Sequence, residues 1–432
     1  MSDLFNLETD GGMVPFTNNS TTGEANANAF TAAMVKYGKT SGSSGIVTEF
    51  VLPAKPYYMG GDDGVAAVAN FRHGIKIRGL GGYRFGGYDA FFNQSSDGGN
   101  EGAVSQLIWN GPTYDGTDAT KFSMLKLQNC FGAEVTNINI QGRPIADVNA
   151  WNAIAGGTFS QMLYAGIKFD ETVSGFSSGG YQLAVAFQCC EHTAWFPVAG
   201  TGNHCDHPHW SNYMAFFCRH GVLCQNLQSV QHLYDQIQER GTSPGGYVLR
   251  YERGGGTLKV NSFSHDSPSV ALYVGDIGPN EDGYFIDGYR ADNACFFQSG
   301  YKLFEVSAGS SKRTIEFRGA VGNNDGGAYP NSFTTVPSDQ YLSASLNLAL
   351  LQTADSTAFN KYGGSPVNLS QTLSDGTTVG EALVAARAGV LGKQTLNKDT
   401  AILTTYAADG TTVIGTAAIG PNLQTPLTRT PQ

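Results

Sequence analysis

The sequence is poor in charged residues. Only 14% of its 432 residues are Asp, Glu, Lys or Arg, against about 25% in an ordinary globular domain. This scarcity excludes a coiled coil and a charge-rich disordered chain, both of which need many charged side chains. The 26 basic residues are outnumbered by 36 acidic ones and form no cluster, and the net charge is −10. Because proteins that bind nucleic acid cluster Lys and Arg, we expect no nucleic-acid partner.

Two kinds of apolar segment are missing as well. No run approaches the roughly 18 apolar residues of a transmembrane helix, so we expect no membrane insertion. The opening sequence MSDLFNLETDGG has neither the basic nor the apolar region of a secretory signal. We therefore expect synthesis in a cytoplasm and free thiols, without disulfides, for the odd number of seven cysteines.

Glycine, by contrast, is abundant at 56 of 432 residues, nearly twice its usual share of roughly 7%. Short runs of β-branched and apolar residues recur between Gly, Asn and Asp turns, and each has the length of a strand. No long helical pattern separates these runs, which argues against a TIM barrel or a Rossmann fold. Their spacing suits a β-solenoid or a β-sandwich. Examples are 74–80, 123–130, 133–142, 165–169, 181–190, 247–252, 257–263, 270–274 and 314–319.

The two ends of the chain differ from this middle part. Near the N-terminus, 25–39 has the apolar spacing of a helix, and 47–59 reads as strand, proline turn and strand. Near the C-terminus, 345–352 is compatible with a last strand or a short helix. A linker at 355–374 then precedes a helix that begins with a capping box at Thr378. A hairpin with Asp409-Gly410 at its turn follows.

The N-terminal segment, with AFTAAM and FVLPAKPYYM, resembles the cap of pectate-lyase-like right-handed parallel β-helix proteins. The strings GIKIRGL and LQNCFGAEVTNINIQG resemble the rungs of that family, with Asn or Cys at the corner. The resemblance implies an all-β chain: a right-handed parallel β-helix with an N-terminal capping helix and a small C-terminal helix-plus-hairpin module. The predicted divisions are a cap region at 1–44, the β-helix at 45–354, the linker at 355–374 and the module at 375–432.

The C-terminal strings DGTTVGEALVAARAGVLGK and LTTYAADGTTVIGT resemble the ends of some tailed-phage structural proteins. This second resemblance implies a location in the virion, as a homotrimeric spike or fibre that contacts host surface polysaccharide. Other virion structural proteins are then the expected partners. The module itself, which has few residues suited to catalysis, is predicted to serve attachment or assembly.

A dense cluster of Cys and His lies at 189–232. Zinc sites need four converging ligands, and the spacing here matches no zinc-finger pair. Since free Cys is usually buried, we favour a core-and-loop interpretation, with a metal site or a catalytic His as alternatives. We therefore expect no bound metal and no cofactor. The cluster contains Cys189, Cys190, Cys205, Cys218, Cys224, Glu191, Asp206, His192, His204, His207, His209, His220 and His232.

Two further sets of residues are candidates for chemistry on a polysaccharide. A glycoside hydrolase needs two carboxyl groups about 5–10 Å apart, and a lyase needs a basic residue beside acidic ones. The sequence does not identify which acids align between rungs. The acidic candidates are Asp235, Glu239, Glu252, Asp266, Asp287 and Asp292, and the basic ones are Arg250, Arg253 and Lys259.

Aromatic side chains beside glycine are candidates for stacking on sugar rings. They occur in GGYRFGGYDAFF and HPHWSNYMAFF, where we select Tyr83, Tyr88, Trp210 and Tyr213 as glycan-binding candidates. The alternative is that these side chains lie in the core or at a subunit interface.

Two functions are compatible with these observations. The favoured one is a virion appendage, a spike, fibre or decoration protein that contacts host polysaccharide or other virion proteins. The alternative is a polysaccharide depolymerase, either a glycoside hydrolase or a lyase, on the same scaffold. An acid pair at matched rung positions would separate them, and the sequence reveals none.

Overall fold

The structure is a computed structural model in which most of the secondary structure is β-strand. Among the described residues there is one helix, α1 (Ser20–Tyr37). Strands are numbered β1 to β29 in chain order. The structure describes residues 4–40, 49–81, 104–116, 122–144, 163–170, 172, 177–198, 204–226, 229–242, 245–253, 255–275, 282–291, 301–307, 313–323, 334–335, 342–352, 394–397, 402–406 and 413–418.

Two parallel sheets, sheet I and sheet II, contain most of the strands. Sheet I has fifteen: β1 (Leu4–Asn6), β2 (Glu49–Leu52), β3 (Pro56–Met59), β5 (Lys76–Gly79), β6 (Ser105–Trp109), β8 (Glu134–Gln141), β11 (Gln182–Gln188), β14 (His209–Phe216), β16 (Val230–Tyr234), β17 (Ile237–Arg240), β19 (Gly255–Val260), β20 (Phe263–Asp266), β22 (Asp282–Ala291), β24 (Arg313–Asn323) and β26 (Leu342–Gln352).

Sheet II has nine strands: β4 (Ala67–Asn70), β7 (Ser123–Gln128), β9 (Leu163–Asp170), β12 (Cys190–Phe196), β15 (His220–Cys224), β18 (Tyr247–Tyr251), β21 (Val270–Val274), β23 (Lys302–Val306) and β25 (Thr334–Thr335). A short parallel pair, β10 (Ser177–Gly179) and β13 (His204–Asp206), accompanies them. All nine runs named from the sequence contain a strand, and 345–352 lies in β26.

The chain alternates between the two sheets, so that each coil contributes strands to both. From β11 it passes to β12 in sheet II, returns to sheet I as β14 and continues to β15 in sheet II. Each strand pairs in parallel with its counterpart in the next coil, as β11 does with β14 and β12 with β15. A coil takes about as many residues as separate the aligned Gln182 and His209, which are 27 apart. This is a parallel β-helix, as predicted, and the β-sandwich is excluded.

Single residues in the left-handed backbone region form corners of the coils. Asn129 has a φ of 51°, Cys189 of 53° and Phe217 of 51°. One such residue turns the chain sharply, and Asn tolerates this conformation better than most residues. The corners stack, because the Cys189 N–H donates to Phe216 O and the Phe217 N–H donates to Arg240 O. The corner predicted in LQNCFGAEVTNINIQG is confirmed at Asn129, and Cys189 and Phe217 are corners that the sequence did not indicate.

The interior is built from rows in which a side chain meets its equivalent in the next coil. One row crosses sheet II and is fully buried, which removes apolar surface from water at roughly 25 cal/mol per Å². Its members are Ile167, Ala194, Val222, Leu249 and Leu272.

Helix α1 covers the first coils, packing on β3 and β4. It starts earlier than the predicted 25–39, because the Asn19 side chain caps it by accepting the Thr22 N–H at 2.8 Å. At the other end Arg72 Nε donates to the Met34 carbonyl at 2.7 Å. The capping role is confirmed. Strand β1, inside the predicted cap region 1–44, already pairs with β2 and so belongs to sheet I.

Among the described residues, no helix has the length and apolar character that crossing a bilayer requires.

Asn26 joins the helix to the coil below it. It is fully buried, accepts the Val14 N–H at 2.7 Å and donates to Val14 O and Tyr58 O at 2.9 and 3.0 Å. Replacing Asn26 with Ala leaves these backbone groups unpaired and should lower the free energy of unfolding by about 2–4 kcal/mol. Urea denaturation measures this. The exposed Asn28 on the same helix is the control, and equal losses for Asn26→Ala and Asn28→Ala would contradict the prediction.

The chain divides into two compact units, Met1–Gly363 and Gly364–Gln432. The boundary lies inside the predicted linker 355–374. The second unit contains an antiparallel sheet of β27 (Gln394–Asn397), β28 (Ile402–Tyr406) and β29 (Val413–Ala418). The predicted hairpin is β28–β29, and β27 adds a third strand. The predicted helix that starts at Thr378, and the turn at Asp409-Gly410, lie outside the described residues.

Candidate functional site

The predicted glycan-binding aromatics Trp210 and Tyr213 lie in the core. Both are fully buried on β14, and the Trp210 ring stacks on Tyr234 at 6.0 Å between ring centroids. The Tyr213 hydroxyl lies 2.8 Å from Thr193 Oγ1 inside the coil. The prediction that these two side chains bind glycan is therefore wrong, and the alternative of a core position holds. Tyr83 and Tyr88 lie outside the described residues.

Asp235 belongs to a polar ladder on the outer face of sheet I. His209 Nδ1 lies 2.9 Å from Gln182 Oε1, and its Nε2 lies 2.7 Å from Asp235 Oδ2. Asn261 Nδ2 donates to Asp235 Oδ1 at 3.0 Å. One polar side chain from each of four coils thus joins a line of hydrogen bonds. No second predicted acid contributes to this ladder, so it provides Asp235 with no catalytic partner among the described residues.

The other acidic candidates are spread over the molecule. Asp287 faces solvent on sheet I near Arg318, at 3.8 Å, and Asp266 lies half-buried at the end of β20. Glu239 is fully buried in the interior, which corrects the expectation that it lies on an exposed face. Glu252 alone lies beside sheet II, and Asp292 lies outside the described residues. The candidate bases Arg253 and Lys259 are exposed, and Arg250 is partly so.

The Cys/His cluster at 189–232 separates into several environments. Its five cysteines are buried, and burial raises the pKa of the Cys189, Cys190 and Cys224 thiols. His232 lies in the core, bonded to Ser229 and Tyr251 at 2.8 Å each, while His209 joins the polar ladder. No group of His, Cys, Asp or Glu in the described part of the chain converges as metal ligands would. The core-and-loop interpretation is confirmed for the described cysteines. Cys295 and the His204 side chain lie outside them.

Two histidines of the cluster lie instead on the outer face of sheet II. Because Thr193 points inward to Tyr213, its neighbour His192 points outward. His192 aligns with His220, and the two rings stack at 4.9 Å with 16° between their planes. Burial, with His220 as the next cause, lowers the pKa of His192, and burial beside Arg250 lowers that of His220 to about 3. Both rings are therefore neutral at pH 7, which allows them to stack without repulsion.

These rings continue into a row that we call the aromatic stripe, with one member in each of five successive coils. Centroid distances along it are 4.9, 4.9, 5.7 and 5.0 Å. Since neighbouring coils are about 4.8 Å apart, the stripe runs along the axis of the β-helix. Its members are Tyr164, His192, His220, Tyr247 and Tyr273.

Polar side chains flank the stripe on one side. Arg250 lies over the rings of Tyr247 and Tyr273, at 4.9 and 5.4 Å, and its Nη2 pairs with Glu252 Oε1 at 2.5 Å. Gln225 Nε2 donates to Glu252 Oε2 at 2.6 Å. The same Gln225 accepts the indole N–H of Trp195 at 3.0 Å. Donors and acceptors are thus fixed in place beside the rings.

Glu191 flanks the other side of the stripe. Burial raises the pKa of its carboxyl group, although Arg219, at 3.3 Å, opposes this. A carboxyl with a raised pKa resembles a general acid. However, Glu191 aligns with Arg219 near the start of the sheet II strands. Glu252 aligns with Gln225, six positions further along the strand direction. That displacement is about 20 Å, beyond the 5–10 Å of a hydrolase pair. Glu191 and Glu252 are therefore too far apart to act together as a hydrolase pair.

The sequence did not predict the aromatic stripe. Of the residues in and beside it, Glu252 and Arg250 were candidates for polysaccharide chemistry, and His192 and His220 belonged to the Cys/His cluster. Tyr164, Trp195, Tyr247 and Tyr273 were not selected. A partial signal exists, since His192, His220 and Tyr247 occupy matched strand positions, whereas Tyr164 and Tyr273 are offset from that row. It becomes visible only when the register between coils is known.

No protein-family model matches the chain, and neither the curated proteins nor the solved structures contain a match to it.

Proposed function

We propose that the protein is a virion appendage that binds polysaccharide along the aromatic stripe of sheet II. The observation that carries this proposal is the stripe itself, in which five rings follow one another at 4.9–5.7 Å along the axis. A linear polymer laid along this axis meets the half-buried rings of Tyr164, Tyr247 and Tyr273, which the buried His192 and His220 rings connect. Binding sites of this kind combine aromatic surface with a few fixed polar groups, and Arg250, Glu252 and Gln225 supply them.

The location in a virion rests on the resemblance of the C-terminal strings to tailed-phage structural proteins. We propose that the unit Gly364–Gln432 serves attachment or assembly and that the chain forms a homotrimer. A small antiparallel sheet of three short strands buries little surface of its own. Such a unit gains stability by packing on a partner, which supports an assembly role.

A matched pair of variants tests the binding site. Replacing Tyr247 with Ala removes the ring that contacts His220, Tyr273 and Arg250. Because a central aromatic contact is typically worth more than 1.4 kcal/mol, we expect affinity to fall by at least about tenfold. The control is Phe131→Ala, which removes a ring that is 55% exposed and away from the stripe. Affinity is measured by titration against purified bacterial surface polysaccharides, with circular dichroism to confirm folding.

The same samples distinguish binding from depolymerisation. A reducing-end assay on each polysaccharide should remain at background, because Glu191 and Glu252 are too far apart to act together. If the unmodified protein releases reducing ends and Glu252→Gln does not, the protein is a depolymerase and the proposal of binding without cleavage is wrong. Equal affinity of Tyr247→Ala, Phe131→Ala and the unmodified protein would place any glycan site elsewhere.

A further inference from the structure

We infer that the aromatic stripe selects uncharged glycans over acidic ones, an inference that rests on the proposed function. The observation behind it is the charge balance of the surface. Of the basic side chains near the stripe, four lie within 3.3 Å of an acidic side chain. The pairs are Lys168–Asp170 at 2.8 Å, Arg219–Glu191 at 3.3 Å, Arg250–Glu252 at 2.5 Å and Lys302–Glu305 at 2.9 Å.

Most of these pairs are sheltered from solvent. The side chains of Lys168 and Asp170 are 7% and 14% exposed, and those of Arg250 and Glu252 are 28% and 29% exposed. Sheltered charges are screened less by salt than surface charges. A uronate or phosphate group entering the stripe must therefore displace a fixed carboxylate from its cation. It also meets repulsion from the carboxylates and from a chain whose net charge is −10.

Hydroxyl groups avoid this competition. A carboxylate has about four lone-pair sites, and a guanidinium has five N–H donors. Glu252 uses its oxygens for Arg250 and Gln225 and still has sites left for a sugar hydroxyl. The ion pairs can thus remain intact while they bond to an uncharged sugar, and binding should be nearly independent of ionic strength.

The inference is tested by affinity electrophoresis of the full chain in gels containing neutral polymers, dextran and laminarin, or acidic ones, alginate and polygalacturonate. A panel of neutral and acidic bacterial surface polysaccharides is included. We expect retardation by neutral members only, with less than a twofold change between 50 and 500 mM NaCl. Tighter binding of acidic members that weakens with salt would overturn the inference and leave the proposed function standing. Binding to no member of either class would overturn the proposed function itself.

A charge variant supplies a result that does not depend on finding the natural glycan. The double variant Glu252→Gln/Glu305→Gln frees Arg250 and Lys302 while keeping the shape of the stripe. It should gain at least about fivefold affinity for alginate, and salt should abolish the gain. Glu316→Gln is the control, since it removes the nearer of the two acidic partners of Arg318 on the outer face of sheet I. An equal gain in the control, or none in the double variant, would show that the ion pairs do not exclude acidic polymers.

Discussion

Replacing Trp210 with Ala should lower the free energy of unfolding by about 3–5 kcal/mol, the usual cost of deleting a buried indole. The Trp210 ring is fully buried, stacks on Tyr234 and meets the Tyr213 ring edge-on at 5.3 Å. The coils around it repeat with a fixed spacing, so they cannot close over the cavity without disturbing their hydrogen bonds. Chemical denaturation followed by circular dichroism measures the loss.

The matched control is the other tryptophan beside this region. Trp195 points outward on sheet II, where it is 8% exposed, packs with Ala165 and Leu223, and has Lys168 Nζ 5.1 Å from its ring. Trp195→Ala should also lower the free energy of unfolding, because this ring is buried, but unlike Trp210→Ala it should weaken glycan binding to the folded protein. The opposite pattern, a stable Trp210→Ala protein that has lost glycan binding, would restore Trp210 as the sugar-stacking residue that the sequence indicated.

The buried position of Tyr213 follows from the register between two coils. If side chains alternated regularly between the two faces of β14, the inward-facing Trp210 would be followed by an inward-facing Asn212. Tyr213 is the buried residue instead. The register between β11 and β14 shifts after Leu183, so that Ser211 is passed over and the alternation restarts. An irregularity of this kind depends on the neighbouring coil. A sequence without its register does not show it.

The fold itself was predictable because its signals are local. Strand-length runs, corner residues such as Asn129 and an amphipathic N-terminal helix each lie within a few residues of sequence. The candidate site depends on contacts between coils: His192 meets His220, and Arg250 meets Tyr273, across successive coils. No short window of sequence contains both members of such a pair, which is why the stripe could not be predicted.

Glu239 illustrates the same point inside the core, where its partners come from the next coil. The buried carboxyl accepts the Thr242 N–H at 2.8 Å and the Ser267 hydroxyl at 2.7 Å. Ser267 continues through Ser269 to His265 in a buried chain of hydrogen bonds. Burial is the first cause that raises the pKa of Glu239, to about 7, and nearby Asp266 adds to it. Burial lowers the pKa of His265 to about 3.

The shift at Glu239 predicts how stability depends on pH. Between the ordinary carboxyl pKa of 4.5 and about 7, the folded protein binds a proton that the unfolded chain has lost. The stabilising contribution is thus full below pH 4.5 and is lost as pH rises through 7. Glu239→Gln removes this dependence and keeps an oxygen for the Thr242 N–H. Relative to the unmodified protein, the variant should therefore gain about 3 kcal/mol of stability on going from pH 4 to pH 8.

Urea denaturation of both proteins at pH 4, 6 and 8 measures this double difference, in which titrating groups distant from Glu239 cancel. His265 contributes in the opposite direction, since its lowered pKa makes the folded protein lose stability as pH falls from 6.5 towards 3. Because His265 Nε2 lies 3.6 Å from Glu239 Oε2, the comparison between pH 6 and pH 8, where the folded His265 is neutral, isolates the carboxyl group. Glu316→Gln, which removes the same charge from the outer face of sheet I, is the control and should follow the unmodified protein. If Glu239→Gln also follows it at all three pH values, the carboxyl is ionised inside the folded coil, and Ser267 and Thr242 alone must stabilise the buried charge.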